Sequence, residues 1–169
     1  MKSKLQKIPK PKILFTDFDG CLTDDRVWLN QDGEEFVAAN RKDGLAVKRL
    51  KNLGIQVVIT STETNKVVLA RGTKMVVEVL QGLADKAESI DQYLIQKNLS
   101  WNDVWYIGND VNDLGAISRA KLSLCPADAV KIVRKTVDKV LKTNGGRGVL
   151  AEIASELELN VNLKINVRF

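Results

Sequence analysis

The segment Phe15-Thr16-Asp17-Phe18-Asp19-Gly20-Cys21-Leu22-Thr23-Asp24 sets two carboxylates one residue apart, where a short apolar strand, Ile13-Leu14-Phe15, runs out into a glycine-containing turn. Ionised carboxylates at the mouth of a buried strand repel each other and lose hydration, so they persist only beside a cation or strong hydrogen-bond donors. A divalent metal is the partner this arrangement points to.

The residue types limit what such a pair can do. Asp17 can attack a phosphorus centre as a carboxylate nucleophile, and Asp19, held by the turn on the same side, can protonate a leaving oxygen and later deprotonate water. The chain has no His, so a carboxylic acid must fill any acid-base role. Taken alone, the pair also fits a turn-capping aspartate beside a solvated one.

A second apolar run, Val104-Trp105-Tyr106-Ile107, ends in Gly108-Asn109-Asp110-Val111-Asn112-Asp113, again collecting acids at a strand's C-terminal end. Between the two lie Ile55-Gln56-Val57-Val58-Ile59, ending in Thr60-Ser61-Thr62, and Lys86 at the predicted start of a helix. In parallel α/β sheets the strand C-terminal ends share one ligand-binding edge, so Asp17, Asp19, Thr60, Lys86 and Asp110 can converge there. Singly, Thr60 also fits a hydroxyl bonded to its own backbone, Lys86 a solvated helix residue and Asp110 a turn former. Their joint order raises each above that reading.

Those parts in that order resemble the haloacid dehalogenase superfamily of phosphohydrolases, over about Lys12 to Val149. The resemblance implies a doubly wound, mostly parallel Rossmann-like α/β sheet. It implies that Asp17 forms an aspartyl-phosphate, that Asp19 is the acid-base, and that Thr60 and Lys86 hold the phosphoryl oxygens. Mg²⁺ would be held by Asp17, the Asp19 main-chain carbonyl and Asp110, with Asn109 and Asp113 in support. Mg²⁺ suits such a set because it prefers oxygen ligands and is usually held by one or two carboxylates together with water and substrate phosphate.

At 169 residues and 44% hydrophobic content, the chain is long enough for one core and short for two. The expected organisation is a flexible basic leader over 1–11, one phosphatase domain over 12–159 and a strand-like tail over 160–169. The formal charge of +5 belongs to the first twelve residues: without Lys2, Lys4, Lys7, Lys10 and Lys12, basic and acidic residues balance at 21 each. A nucleic-acid surface is not indicated. No apolar run approaches the roughly 18 residues that span a bilayer, so no membrane association and a cytoplasmic location are expected. Cys21 and Cys125 form neither a metal-ligand spacing nor a disulfide framework.

The rest of the chain alternates strand and helix signals. Asp43 is the predicted cap of a helix carrying Ala46, Leu50 and Leu53 and ending at Gly54, and Asp85 with Glu88 has capping-box spacing. Met75 to Val79 and Leu122 to Leu124 are further strand candidates, and Val130, Val133, Val137 and Val140 mark another helix face. Val27-Trp28-Leu29 and Glu35-Phe36-Val37-Ala38 flank Asn30-Gln31-Asp32-Gly33, a hairpin by its Asp-Gly turn signal. The stretches from Leu22 to Gln56 and from Thr60 to Lys86 are too short for a folded cap domain.

A capless chain with this hairpin and a late Gly145-Gly146-Arg147-Gly148 is similar to the 3-deoxy-D-manno-octulosonate 8-phosphate phosphatase group and its relatives acting on nonulosonate (sialic acid) 9-phosphates. The C-terminal domains of some acylneuraminate cytidylyltransferases share the pattern. The resemblance implies a small phosphorylated sugar-acid substrate, a role in lipopolysaccharide or sialic acid biosynthesis, and a homotetramer in which neighbouring subunits close the site. It places Asn40, Arg41 and Asp43 near the substrate, Arg71 near its carboxylate, and Arg147 in the glycine-rich segment. Thr60 is followed here by Ser61-Thr62-Glu63, where the octulosonate phosphatases usually have glycine and then arginine. Either sugar acid therefore stays open.

Two other classes remain. A receiver-type signalling domain also uses an Asp, a Thr and a Lys, but it places the paired acids before a separate phosphoacceptor on a later strand. A catalytically weak phosphatase-fold module that oligomerises, or supports an acylneuraminate cytidylyltransferase pathway partner, would not need every catalytic position filled as it is here. At the C-terminus, Val161, Leu163, Ile165, Val167 and Phe169 alternate with polar residues, predicting a half-buried strand that pairs with a sheet edge of its own or a neighbouring subunit.

Overall fold

The computed structural model describes residues 5 and 8–165, with side chains through residue 159. In chain order the strands are β1 (Ile13–Asp17), β2 (Trp28–Leu29), β3 (Glu35–Phe36), β4 (Gln56–Thr60), β5 (Glu78–Leu80), β6 (Val104–Ile107), β7 (Leu122–Cys125) and β8 (Lys139–Val140). The helices are α1 (Arg41–Asn52), α2 (Lys66–Met75), α3 (Lys86–Gln96), α4 (Leu114–Arg119), α5 (Lys131–Thr136) and α6 (Val149–Ile165). Six strands form one parallel sheet in the order β5-β4-β1-β6-β7-β8, while β2 and β3 pair separately as an antiparallel hairpin. The chain lays down β1, β4 and β5 in one direction, then returns to the far side of β1 for β6 to β8. That reversal leaves a crevice at the C-terminal ends of β1 and β6.

Strand residues of alternate parity bury on opposite faces, as the period of two requires. Leu14, Val57, Ile59, Trp105 and Ile107 pack with Ala46 and Leu50 of α1, Val68 of α2, and Val149, Ile153 and Leu157 of α6. Ile13, Phe15, Val58, Val104 and Tyr106 pack with Ile90, Tyr93 and Leu94 of α3, Ile117 of α4 and Val133 of α5. Each such side chain, fully buried, contributes about 1.5–3 kcal/mol of transfer free energy. Asp17 is in phase with Ile13 and Phe15, and Thr60 with Val58, so both strand ends face the side on which α3 lies.

Several elements differ from the sequence expectation, each for a local reason. Helix α1 is capped by Asn40, whose side chain accepts from Lys42 N, and Asp43 sits inside its first turn. Met75 closes α2, and β5 begins only at Glu78. The valine stripe from Val130 is split: α5 ends at Thr136, and Asp138 bonds the Ser123 amide and hydroxyl, drawing the chain into β8 beside β7. In the leader expected to be flexible, Leu5 is fully buried in the core and Ile8 packs against it, because both are apolar side chains within reach of the core. The predicted C-terminal strand is corrected as well, since α6 runs on through Ile165. Extending a helix already anchored at Val149, Leu150, Ile153 and Leu157 costs less than starting a new element, and the helix formers Glu156 to Leu159 lead into it. The remainder of that tail, 166–169, lies outside the described residues. Among the described residues no helix is long and apolar enough to cross a membrane.

Candidate active site

The turn after β1 is built on the Phe18 carbonyl, which accepts from Leu22 N at 2.8 Å and Thr23 N at 3.1 Å. Gly20 takes φ +70° at its apex, a conformation open to glycine without strain. This turn folds Asp19 back over the strand end. The glycine-rich segment then lies directly on it: Gly146 N donates to the Cys21 carbonyl at 3.0 Å, and a Cβ on Gly145 would sit 2.1 Å from the Gly20 carbonyl oxygen.

Helix α3 begins at Lys86 because Asp85 caps it, its side chain accepting from Glu88 N at 3.0 Å. Lys86 extends inward and is 2% exposed, with its ammonium 2.8 Å from Asp17 Oδ1 and 2.7 Å from Asp113 Oδ1. Asp113 is wholly buried and uses both oxygens. Oδ1 also accepts from the Tyr106 hydroxyl at 2.6 Å, and Oδ2 accepts from Asn109 N and Asp110 N. Tyr106 was not foreseen. Its signal was a lone phenol inside an apolar strand, where the hydroxyl must find a partner.

The buried cluster therefore holds two carboxylates against one ammonium. Burial pushes the Asp17 carboxyl up to about 8, with the nearby Asp113 adding to the rise and Lys86 opposing it. One further positive charge would oppose that rise and favour an ionised Asp17. The half-buried Asp19 is also raised, chiefly by burial, while the Thr23 hydroxyl at 3.2 Å pulls the other way and Asp25, Glu63 and Glu35 add to the rise. An acid held protonated above its usual range suits proton donation.

Asp17, Asp19, Asn109 and Asp110 line one cavity of about 310 Å³ together with Asp25, Ser61, Thr62 and Glu63. Thr60 is paired with Asp17 across β1 and β4 and is fully buried; its hydroxyl donates to the Thr16 carbonyl at 3.3 Å and lies 3.4 Å from the Tyr106 hydroxyl. The Asn109 amide touches the aspartate pair: with its nitrogen turned inward it donates to Asp17 Oδ2 at 3.1 Å and to the Asp19 carbonyl at 2.9 Å. Asp110 reaches the cavity wall, and its Oδ1 accepts from Val111 N at 2.6 Å.

Among the described residues no three His, Cys, Asp or Glu side chains gather around one cation position. The oxygens that do gather are mixed in kind: the Asp17 carboxylate, the Asp19 carbonyl and the Asn109 amide. Such a set, whose Asp17 carboxyl needs further positive charge to ionise at neutral pH, fits a hard divalent cation that keeps several waters.

The five expected substrate contacts divide into two groups. Asn40 donates from Nδ2 to the Gly146 carbonyl at 3.2 Å, and Arg71 donates to the Asn40 carbonyl at 2.7 Å. Asp43 Oδ1 accepts from Leu150 N at 2.9 Å and Ala151 N at 3.3 Å, while its buried Oδ2 has no partner. Burial pushes this carboxyl up to about 6. These three residues tie α1, α2 and the start of α6 to the glycine-rich segment that lies on the turn carrying Asp19. Arg41 and Arg147 are exposed and line another cavity, of about 340 Å³, with Asp24, Ala38, Ala39, Asn40 and Gly146.

Comparison with known proteins agrees with this architecture. A family model for haloacid dehalogenase-like hydrolases matches residues 60–153. The chain is 31% identical over 150 residues to a 3-deoxy-D-manno-octulosonate 8-phosphate phosphatase of Haemophilus influenzae, covering 88% of this chain and 83% of that protein. It is 28% identical over 150 residues to N-acylneuraminate cytidylyltransferase A of Danio rerio, spanning only 35% of that enzyme's length. Among solved structures, the 3-deoxy-D-manno-octulosonate 8-phosphate phosphatase of Moraxella catarrhalis, in complex with magnesium, phosphate and KDO, superposes with TM-score 0.87 at 25% identity, covering 96% of this chain and 95% of that one. A parallel sheet reversing beside β1, an Asp-x-Asp turn at that reversal, a buried lysine reaching the first aspartate, and a family model covering more than half the chain lead to one assignment: the chain belongs to the haloacid dehalogenase-like hydrolases.

Proposed function

We propose that the protein is a Mg²⁺-dependent phosphomonoesterase acting through an aspartyl-phosphate on a phosphorylated ulosonic acid. The observation that carries this reading is the buried contact of Lys86 with both Asp113 and Asp17, the latter two residues before the raised acid Asp19. Asp17 attacks phosphorus through a carboxylate oxygen as the bond to the sugar oxygen breaks, and Asp19 gives its proton to that leaving oxygen. In the second half Asp19, now ionised, takes a proton from water. The water oxygen attacks phosphorus, the acyl-phosphate bond breaks, and Asp17 is restored with release of inorganic phosphate. Lys86 balances charge on the phosphoryl group and holds Asp17 in line. Thr60 braces the strand end through the Thr16 carbonyl, and Asp113 holds Lys86 and the amides of Asn109 and Asp110. The divalent cation, when bound by Asp17, the Asp19 carbonyl and the Asn109-Asp110 corner, supplies the missing positive charge and draws charge off the transferring phosphoryl oxygens.

The substrate class rests on similarity to the octulosonate phosphatases and on Arg41 and Arg147 lining a neighbouring cavity suited to a carboxylate. The hairpin supports self-association, because Trp28 is 72% and Phe36 57% exposed and a neighbouring copy would cover them; a homotetramer is the assembly that the family resemblance implies. The test is phosphate release. Purified protein with Mg²⁺ should hydrolyse a small phosphomonoester, and EDTA should stop it. Asp17→Asn should remove essentially all turnover, and Asp19→Asn should cost about 10²–10⁴-fold. Near-wild-type rates for Asp17→Asn would refute the nucleophile assignment. Comparing 8-phospho-octulosonate with 9-phospho-nonulosonates then decides the sugar.

A further inference from the structure

The uncharged residue in the acidic corner carries an inference of its own. Asn109 is 7% exposed, and its side chain lies against the catalytic turn so closely that a Cβ on Gly20 would come within 1.9 Å of the amide. Its two orientations are chemically opposite. Nitrogen inward, the amide donates to Asp17 Oδ2 and the Asp19 carbonyl, at 3.1 and 2.9 Å. Oxygen inward, three oxygens face one another at those distances with no hydrogen between them, an arrangement that only a cation makes favourable. An aspartate at this place could not do both, because an ionised carboxylate has no proton to donate.

We propose that the Asn109 amide is a reversible plug of the cation site, donating into it when the cation is absent and turning over to present its oxygen when the cation binds. This rests on the reading of the site as a divalent-cation site. Two consequences follow. The corner stays internally hydrogen-bonded without metal, so the fold does not depend on the cation. The cation meets one charge fewer than a carboxylate would supply and must displace two hydrogen bonds, so it binds weakly and exchanges readily. Fewer charged ligands lower divalent affinity in general.

The experiment is Mg²⁺ titration by calorimetry, with thermal unfolding in EDTA and in excess Mg²⁺, for the wild type, Asn109→Asp and Asn109→Ala. Asn109→Asp should bind Mg²⁺ at least about tenfold more tightly, about 1.4 kcal/mol. It should melt below the wild type in EDTA and above it in excess Mg²⁺. Asn109→Ala should melt lower in EDTA and bind Mg²⁺ more weakly. A purely structural asparagine would not give opposite signs in the two conditions. Should Asn109→Asp fold only with Mg²⁺, that is the same result in stronger form. Should it fold in neither, the side-chain NH₂ resonances of Asn109 in the wild type decide, because Mg²⁺ should shift them and speed their exchange with water. The plug is overturned if those resonances do not move, if Asn109→Ala leaves the EDTA melting point unchanged, or if Asn109→Asp binds no more tightly while the wild type binds. If neither wild type nor Asn109→Asp binds Mg²⁺, the cation reading itself falls.

Discussion

Replacing Lys86 by methionine keeps most of the side-chain stem and deletes the charge, which isolates what the ammonium does. In the native structure it lies 2.8 Å from Asp17 and 2.7 Å from Asp113, with Asp17 5% exposed and Asp113 not exposed at all. Lys86→Met leaves two carboxylates in a water-poor pocket with only neutral donors. Removing one partner of a buried ion pair typically costs about 3–5 kcal/mol. For a chain of this size each kcal/mol moves Tm by about 2–4 °C, so a fall of roughly 6–20 °C is expected in EDTA at neutral pH. The pH dependence carries the argument further. Lys86 holds the Asp17 carboxyl down against burial, so without the ammonium it rises further from about 8, the folded state keeps a proton that the unfolded chain has released, and stability falls over a wider range as pH rises. The deficit against the wild type should therefore be steady from about pH 4 to pH 7 and widen as pH rises through about 8, where the wild-type Asp17 ionises against Lys86 and the variant's does not. Thermal unfolding followed by circular dichroism over that range reads both numbers. A Lys86→Met protein as stable as the wild type at neutral pH, or one whose deficit grows on acidification, would refute the reasoning.

Asp43 offers an independent titration away from the cavity. Its carboxyl rises to about 6 when folded, so the wild type should lose up to about 3 kcal/mol between about pH 4 and pH 7 that Asp43→Asn, with no charge to develop, keeps; equal pH slopes for the two in denaturant melts would disprove this. For assembly, Trp28→Ala combined with Phe36→Ser should lower the mass seen by light scattering while leaving the melting of the sheet core nearly unchanged; an unaltered mass would remove the hairpin from the interface.

Parts of the fold were legible because they are local. The apolar runs at Ile13 and Val104, the Asp85 cap that starts α3 at Lys86, and the Asp-Gly hairpin each depend on residues within a few positions of one another. Where a distant partner decides, the sequence reading went astray. The valine stripe from Val130 reads as one helix face, yet Asp138 reaches back to Ser123 and turns its last part into β8. The alternating tail reads as a strand, yet the helix before it is already anchored through Leu150 and Ile153, and through Ile165 helix propagation outweighs the period-two pattern.

The site divides in the same way, and the division says what a catalytic motif specifies. The positions of Asp17, Thr60 and Lys86 follow from strand parity and one helix cap, so their convergence could be argued before any coordinates. Asn40, Asp43 and Arg71 are polar residues of the kind that substrate contacts also are in a sequence, but their bonds go to Gly146, Leu150 and the Asn40 carbonyl. Of the three, Asn40 alone bonds the glycine-rich segment directly, at a place where a side chain at Gly145 or Gly146 would collide with the backbone of the turn that carries Asp19. The charged chemistry lies on one sheet edge because β1 and β6 end there. The framework around it comes from sequence positions more than 100 residues apart, such as Asn40 with Gly146 and Asp43 with Leu150, and no local spacing announces it.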